Sequence, residues 1–248
     1  MLAGATCLAA GLCLLSHAAA APAPDLPKDA YQKAAEADIA QLQKHIATCV
    51  DSEKEAKRYG PTAKSLAMVL AMYGEALGDA ALKDQALAVA GDLAKKDFKA
   101  AAASAKKLAV KPGSAPLADS GLYKMHKYNL DETMSPFRVG TVGGLNIEKD
   151  IRGVRDGKGK LEPSQLEVLA ARTAVLLDYA TNFPNDKAKT NKANTDEWNK
   201  LSKDSVELCK KIADEAAKGK SANDKELVKL VKGLDAKCVL CHNKFRDD

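Results

Sequence analysis

The chain has 248 residues, 46% of them hydrophobic but only 4% aromatic, and a formal net charge of +5. That is enough apolar material for one large or two small domains, but β-branched and aromatic runs are too scarce for a sheet protein. The charge is spread along the chain, so the lysines are expected on solvated helix faces and nucleic acid is not an expected partner.

Residues 1–24 read as an export signal. Leu2 to Leu15 are almost wholly apolar but too few for a comfortable membrane span, and Ala18 to Ala21 offer small-residue cleavage sites. No Lys or Arg precedes the apolar run, and neither Cys7 nor Cys13 follows a lipoprotein box. A periplasmic mature protein with no membrane span is expected, still carrying +5.

Residues 25–112 scan as four helices. The first is expected over 28–58, with Ile39, Leu42, Ile46, Cys49 and Val50 at steps of three and four. Gly60-Pro61-Thr62 should break the chain and open a second helix, with Pro61 in its first turn, running to Leu77 and closed by Gly78-Asp79. Two alanine-rich helices follow, near 80–94 and 96–109. The run from Lys111 to Pro116 is the best domain linker in the sequence, which places a linker at 113–118 and a second domain at 119–248.

In that second region a helix is expected over 119–135, carrying Leu122, His126, Leu130 and Met134 on one face until Pro136 ends it. A glycine-bearing loop spans Gly140 to Lys160. Pro163 opens the next helix, whose core includes Leu166, Leu169, Val175, Leu176 and Leu177. After a polar loop over 182–195, a third helix is expected from Thr195-Asp196-Glu197-Trp198 to about Lys218. The last, over 222–246, carries Leu227, Leu230, Val231 and Leu234, and then Cys238-Val239-Leu240-Cys241-His242.

C-x-x-C-H is the attachment signature of c-type haem. Two thiols one helical turn apart add across the porphyrin vinyl groups, and the adjacent histidine supplies an axial nitrogen. A zinc half-site also begins C-x-x-C, but it needs two further ligands, and Cys49 and Cys209 are distant and expected mid-helix. Export favours haem, which is attached outside the bacterial cytoplasm. Cys49 and Cys209 are then either buried small apolar residues or a disulfide. The two quartets of helices, each with a proline opening its second member, suggest an internal duplication. The N-terminal copy has no cysteine or histidine in its last helix and is expected to be haemless.

The second region resembles the cytochrome c′ family. The family places C-x-x-C-H on its final helix, followed by an aromatic and a basic residue, as Phe245 and Arg246 follow here. Its third helix often opens with an acid and a tryptophan, similar to Glu197-Trp198, and its first helix carries a Lys-Tyr pair, similar to Lys127-Tyr128. The resemblance implies an all-α fold: an antiparallel four-helix bundle with one covalent haem c, preceded by a second helical bundle. It implies attachment at Cys238 and Cys241, His242 as proximal ligand, Arg246 beside the proximal face and Trp198 near the porphyrin. Arg246 could equally be a helix-terminal charge and Trp198 a plain core aromatic.

The sixth iron position separates the functions. A methionine there gives low-spin iron suited to electron transfer, whereas an open site binds small gases such as NO or CO. Met134 is the leading candidate, with His126 and an open site as alternatives, and Met125 lies on the same segment. His45 is expected at the surface. The expected function is electron transfer with a redox partner protein, with gas binding as the alternative and a homodimer possible. No acid/base or nucleophile constellation points to an enzyme. Asp156 to Leu161 resembles a calcium loop, but Val154, Lys158 and Gln165 occupy positions that need oxygen ligands. Gly140 to Gly144 follows no strand and lacks dinucleotide spacing.

Overall fold

The computed structural model describes residues 23–118, 128–159 and 161–246. Most of the expected export signal, and Leu122, Met125, His126 and Lys127, lie outside the described residues. Among those described the fold is all-helical with no strand, and no helix is long and apolar enough to cross a membrane.

Helix α1 (Lys28–Cys49) buries a stripe including Ala30, Ala34, Leu42 and Ile46. The chain then breaks at residues 50–52, earlier than expected. Ser52 caps α2 (Glu53–Leu77), its hydroxyl accepting from the Glu55 amide at 3.2 Å. Pro61 therefore lies inside α2 and does not open it, so the proline pairing behind the suggested duplication is not structurally equivalent. Its missing N–H costs one helical bond. Packing outweighs that loss, because from Gly60 to Leu77 all but three residues of α2 are buried. Each enclosed Leu or Met contributes roughly 1.5–3 kcal/mol.

Gly78 ends α2 at φ +72°, and a Cβ there would lie 2.0 Å from the Ala115 carbonyl. This close approach lets residues 113–117 bond back along α2, Gly113 N–H to Leu77 O at 2.9 Å and Leu117 N–H to Glu75 O at 2.8 Å. Helices α3 (Ala80–Ala94) and α4 (Phe98–Ala105) complete the first half, capped by Asp79 and Asp97.

The expected helix over 119–135 is, among described residues, only α5 (Leu130–Met134). A capping box closes its N-terminus, the Asn129 side chain bonding the Glu132 amide while Glu132 returns to the Asn129 amide. The expected Gly140–Lys160 loop contains α6 (Ile147–Arg155), which buries Ile147, Ile151 and Val154 at steps of four and three. Helix α7 (Pro163–Thr181) has Pro163 in its first turn, as expected. The loop expected over 182–195 holds a short α8 (Asp186–Lys189) and the start of α9 (Lys192–Ala216). Asn191 is the true cap of α9, and the Thr195 hydroxyl instead donates to Ala188 O at 2.8 Å. Helix α10 (Asp224–Phe245) ends the described chain.

One continuous set of buried residues runs from Leu26 to Leu234 through both halves. Helix α1 packs on α7, where Arg172 Nε donates to Asp38 Oδ1 at 2.9 Å and Tyr73 donates to Asp38 Oδ2 at 3.2 Å. His45 is buried against the Tyr59 ring at 5.0 Å, contrary to its expected surface position. The α1–α2 break folds Tyr59 back over it. Cys49 and Cys209 are free buried thiols, both raised in pKa by burial, Cys49 to about 11.

Candidate functional site

Helix α10 begins with Asn223, whose side chain accepts from the Lys225 and Glu226 amides at 3.1 and 3.3 Å. Acids lie in its first turn and His242 and Lys244 in its last, as the helix dipole favours. Leu227, Leu230, Val231 and Leu234 form a buried stripe. Cys238, Cys241 and Phe245 continue that stripe at steps of four, three and four. Between the cysteines, Leu240 turns outward with 55% of its surface exposed, while Val239, 40% exposed, reaches the cavity rim. The helical period therefore puts both thiols, and His242 beside them, on one flank.

That flank borders a cavity of about 650 Å³, within the size range of cofactor sites. Its walls come from α5 and the turn after it, α6, the end of α7, α9 and α10. Six residues singled out from sequence line it: Cys238, Cys241, His242, Arg246, Trp198 and Met134. Much of the remaining wall is apolar, with Leu130, Phe137, Ile151, Leu177 and Leu201 among its members.

The cavity interrupts the packing of this half. Ala188, Trp198, Leu201 and Phe245 form a small cluster separate from the main core. Cys238 packs against the main core and Cys241 against the small cluster, so the motif bridges the two. Domains of this size normally have one contiguous core filled to crystal-like density. An apolar body inside the cavity would join them.

Trp198 is 6% exposed and meets Phe245 edge-on, with ring centroids 5.5 Å apart at 78°. Its Nε1–H is buried without an acceptor. Such orphans are rare and costly.

Burial pushes the Cys238 thiol up to about 12, reinforced by Cys241 and the carboxylates of Asp235 and Glu148. Burial alone pushes Cys241 up to about 11. Both are neutral thiols in the free polypeptide. Among the described residues no three His, Cys, Asp or Glu side chains converge as a chelating group would. The donor set is instead two thiols able to form one thioether each, plus an imidazole and a methionine sulfur from a different wall.

Apart from Arg246, the sequence reading missed the charged wall residues. Asp235 lies one turn before Cys238 and is held by Arg155 Nη1 at 2.7 Å. Its spacing from Cys238 was the available signal. Arg152 reaches the wall from the segment read as loop and Arg138 from the turn just before it, and only the apolar period of α6 hinted at order there. No protein-family model, curated protein or solved structure matches the chain.

Proposed function

We propose that this chain is an exported c-type cytochrome, similar to the cytochrome c′ family in its second half, that carries one covalent haem and transfers electrons to a partner protein. The observation that carries the reading is the convergence of the whole C-x-x-C-H motif and Met134 on one largely apolar cavity. Cys238 and Cys241 hold the group by thioethers, and His242 donates a nitrogen to its iron. When bound, that group supplies a one-electron couple whose potential follows its axial ligands and burial.

The residues then act as a housing. Leu130, Phe137, Ile151 and Leu201 keep water from the macrocycle, which favours the less charged iron state. Trp198 would pack its ring against the cofactor. Met134, the last residue of α5, offers a sulfur that raises the potential if it ligates. The rest of the reading, a haem bundle of four antiparallel helices in the periplasm, rests on the family resemblance and the apolar N-terminus.

Absorption spectra of the ferric and ferrous holoprotein test the electron-transfer assignment. Low-spin iron with the far-red ferric band of sulfur ligation is expected, and Met134→Ala should abolish that band. High-spin iron with ready carbon monoxide binding would instead assign the protein to gas binding.

A further inference from the structure

We propose that the haem-free N-terminal helices serve to position Met134, through a hydroxyl clamp that α2 places on α5. The inference rests on the haem reading above and assigns the first half of the chain a part in it. Helix α5 has five residues, far below the roughly 12–15 at which an isolated helix becomes even marginally stable. Its shape must come from its contacts.

Those contacts come chiefly from one helix. Lys64 Nζ donates to Glu132 Oε1 at 2.6 Å, Ser65 Oγ donates to Thr133 O at 2.9 Å, and Thr62 Oγ1 donates to Ser135 Oγ at 3.2 Å. The residues on either side of Met134 are thus each tied to α2, while Met134 lines the cavity. Thr62, Ser65, Thr133 and Ser135 are all buried, so water does not compete for these bonds. The Ser135 hydroxyl in turn donates to Glu132 O at 2.7 Å, closing the network. Upstream, Tyr128 donates to Ala90 O at 2.7 Å beneath the Lys64 ammonium. Downstream, the Arg58 guanidinium donates to Thr141 O.

The clamp answers a need of the ligand. Methionine has three rotatable side-chain bonds and a soft neutral sulfur. Placement to within about 0.5 Å must therefore come from a supporting shell. A five-residue turn beside a proline cannot supply that by itself. A 25-residue helix with buried hydroxyls at Thr62 and Ser65 can.

The test uses the full-length holoprotein and the double variant Thr62→Val/Ser65→Ala, read by the ferric sulfur-to-iron band, the midpoint potential and the carbon monoxide association rate. Each lost hydroxyl bond shifts the ligated-to-open ratio by roughly fivefold. Covalent haem is expected to remain while the band weakens, the potential falls and carbon monoxide binds faster. Thr62→Ser, which keeps the hydroxyl, should leave the band unchanged. Ser104→Ala, removing a hydroxyl bonded to Asp92 at 3.0 Å away from α5, should change none of the three readouts. Ser65→Ala alone gives the same readouts at roughly fivefold if the double variant does not accumulate. Unchanged readouts in the clamp variants of a protein whose wild type shows the band overturn the clamp, as does an equal effect from Ser104→Ala. A wild type with covalent haem but no such band removes Met134 as ligand and the clamp's purpose with it. A chain without covalent haem overturns the haem reading itself.

Discussion

Helices α2 and α10 are built from similar material and end in opposite situations. From Gly60 to Leu77, α2 is enclosed by α1, α3 and α5, and its polar side chains at Thr62 and Ser65 are satisfied within the protein. Helix α10 buries one stripe, and its last two turns face a cavity beside an indole N–H that has no acceptor. The first half is complete as a polypeptide. The second encloses a cavity lined by the two thiols and the imidazole of its C-x-x-C-H motif.

The largest effect should come from Cys238→Ser/Cys241→Ser, which removes both attachment points. Covalent haem should be lost altogether, seen on denaturing gels. Hydrogen exchange should rise in α9 and the end of α10 while α2 stays protected. Equal loss of protection in α2 would break the contrast between the halves.

Next comes the ion pair that joins them. Asp38→Ala leaves the Arg172 guanidinium buried without its partner, and urea denaturation should show a loss of roughly 3–5 kcal/mol. The paired change Asp38→Leu/Arg172→Met should cost far less, because it removes both charges together.

Two buried groups, one in each half, have pKa shifts that act on stability in opposite directions. His45 in α1 is lowered to about 4 by burial and then by Lys44. Its stabilising contribution is present above the unfolded value of 6.5 and is lost as pH falls toward 4. Asp178 in α7 is raised to about 6 by burial, against the pull of Lys203. Its contribution is present below the unfolded value of 3.8 and is lost as pH rises through 6. Relative to wild type, His45→Phe should gain about 3 kcal/mol between pH 6.5 and 4, and Asp178→Asn should lose about 3 kcal/mol between pH 6 and 4. Chemical denaturation at several pH values checks both signs, and parallel curves for all three proteins would contradict them.

A smaller effect is expected at the seam between the halves. Gly143 has φ +92°, and a Cβ there would lie 2.0 Å from the Arg58 carbonyl of α2. Gly143→Ala should cost roughly 1–3 kcal/mol and loosen the turn after α5. A melting temperature equal to wild type would show that α2 and this turn need not touch.

What could be read from sequence follows the same division. Long amphipathic stretches announced α3, α7 and α10, because their caps and periods agree. The turn between α1 and α2 was misplaced because Gly60-Pro61 is a strong breaker locally, whereas burial around α2 overrides one lost bond. Helix α6 was hidden among glycines although Ile147, Ile151 and Val154 carry its period. On α10 the site was legible, since one helix fixes the spacing of Cys238, Cys241 and His242. Trp198 and Met134 were named through the family resemblance, whereas Arg138 and Arg152 were not, because they reach the site only through tertiary packing. Nothing local in Thr62 or Ser65 indicates that they hold the turn bearing Met134.

The most direct test is the mass and haem content of the full chain after export in a cell that matures c-type cytochromes, measured under denaturing conditions. One haem retained per chain in denaturant, and absent from Cys238→Ser/Cys241→Ser, is the predicted result. A chain of unmodified mass from which denaturant extracts all haem would contradict it.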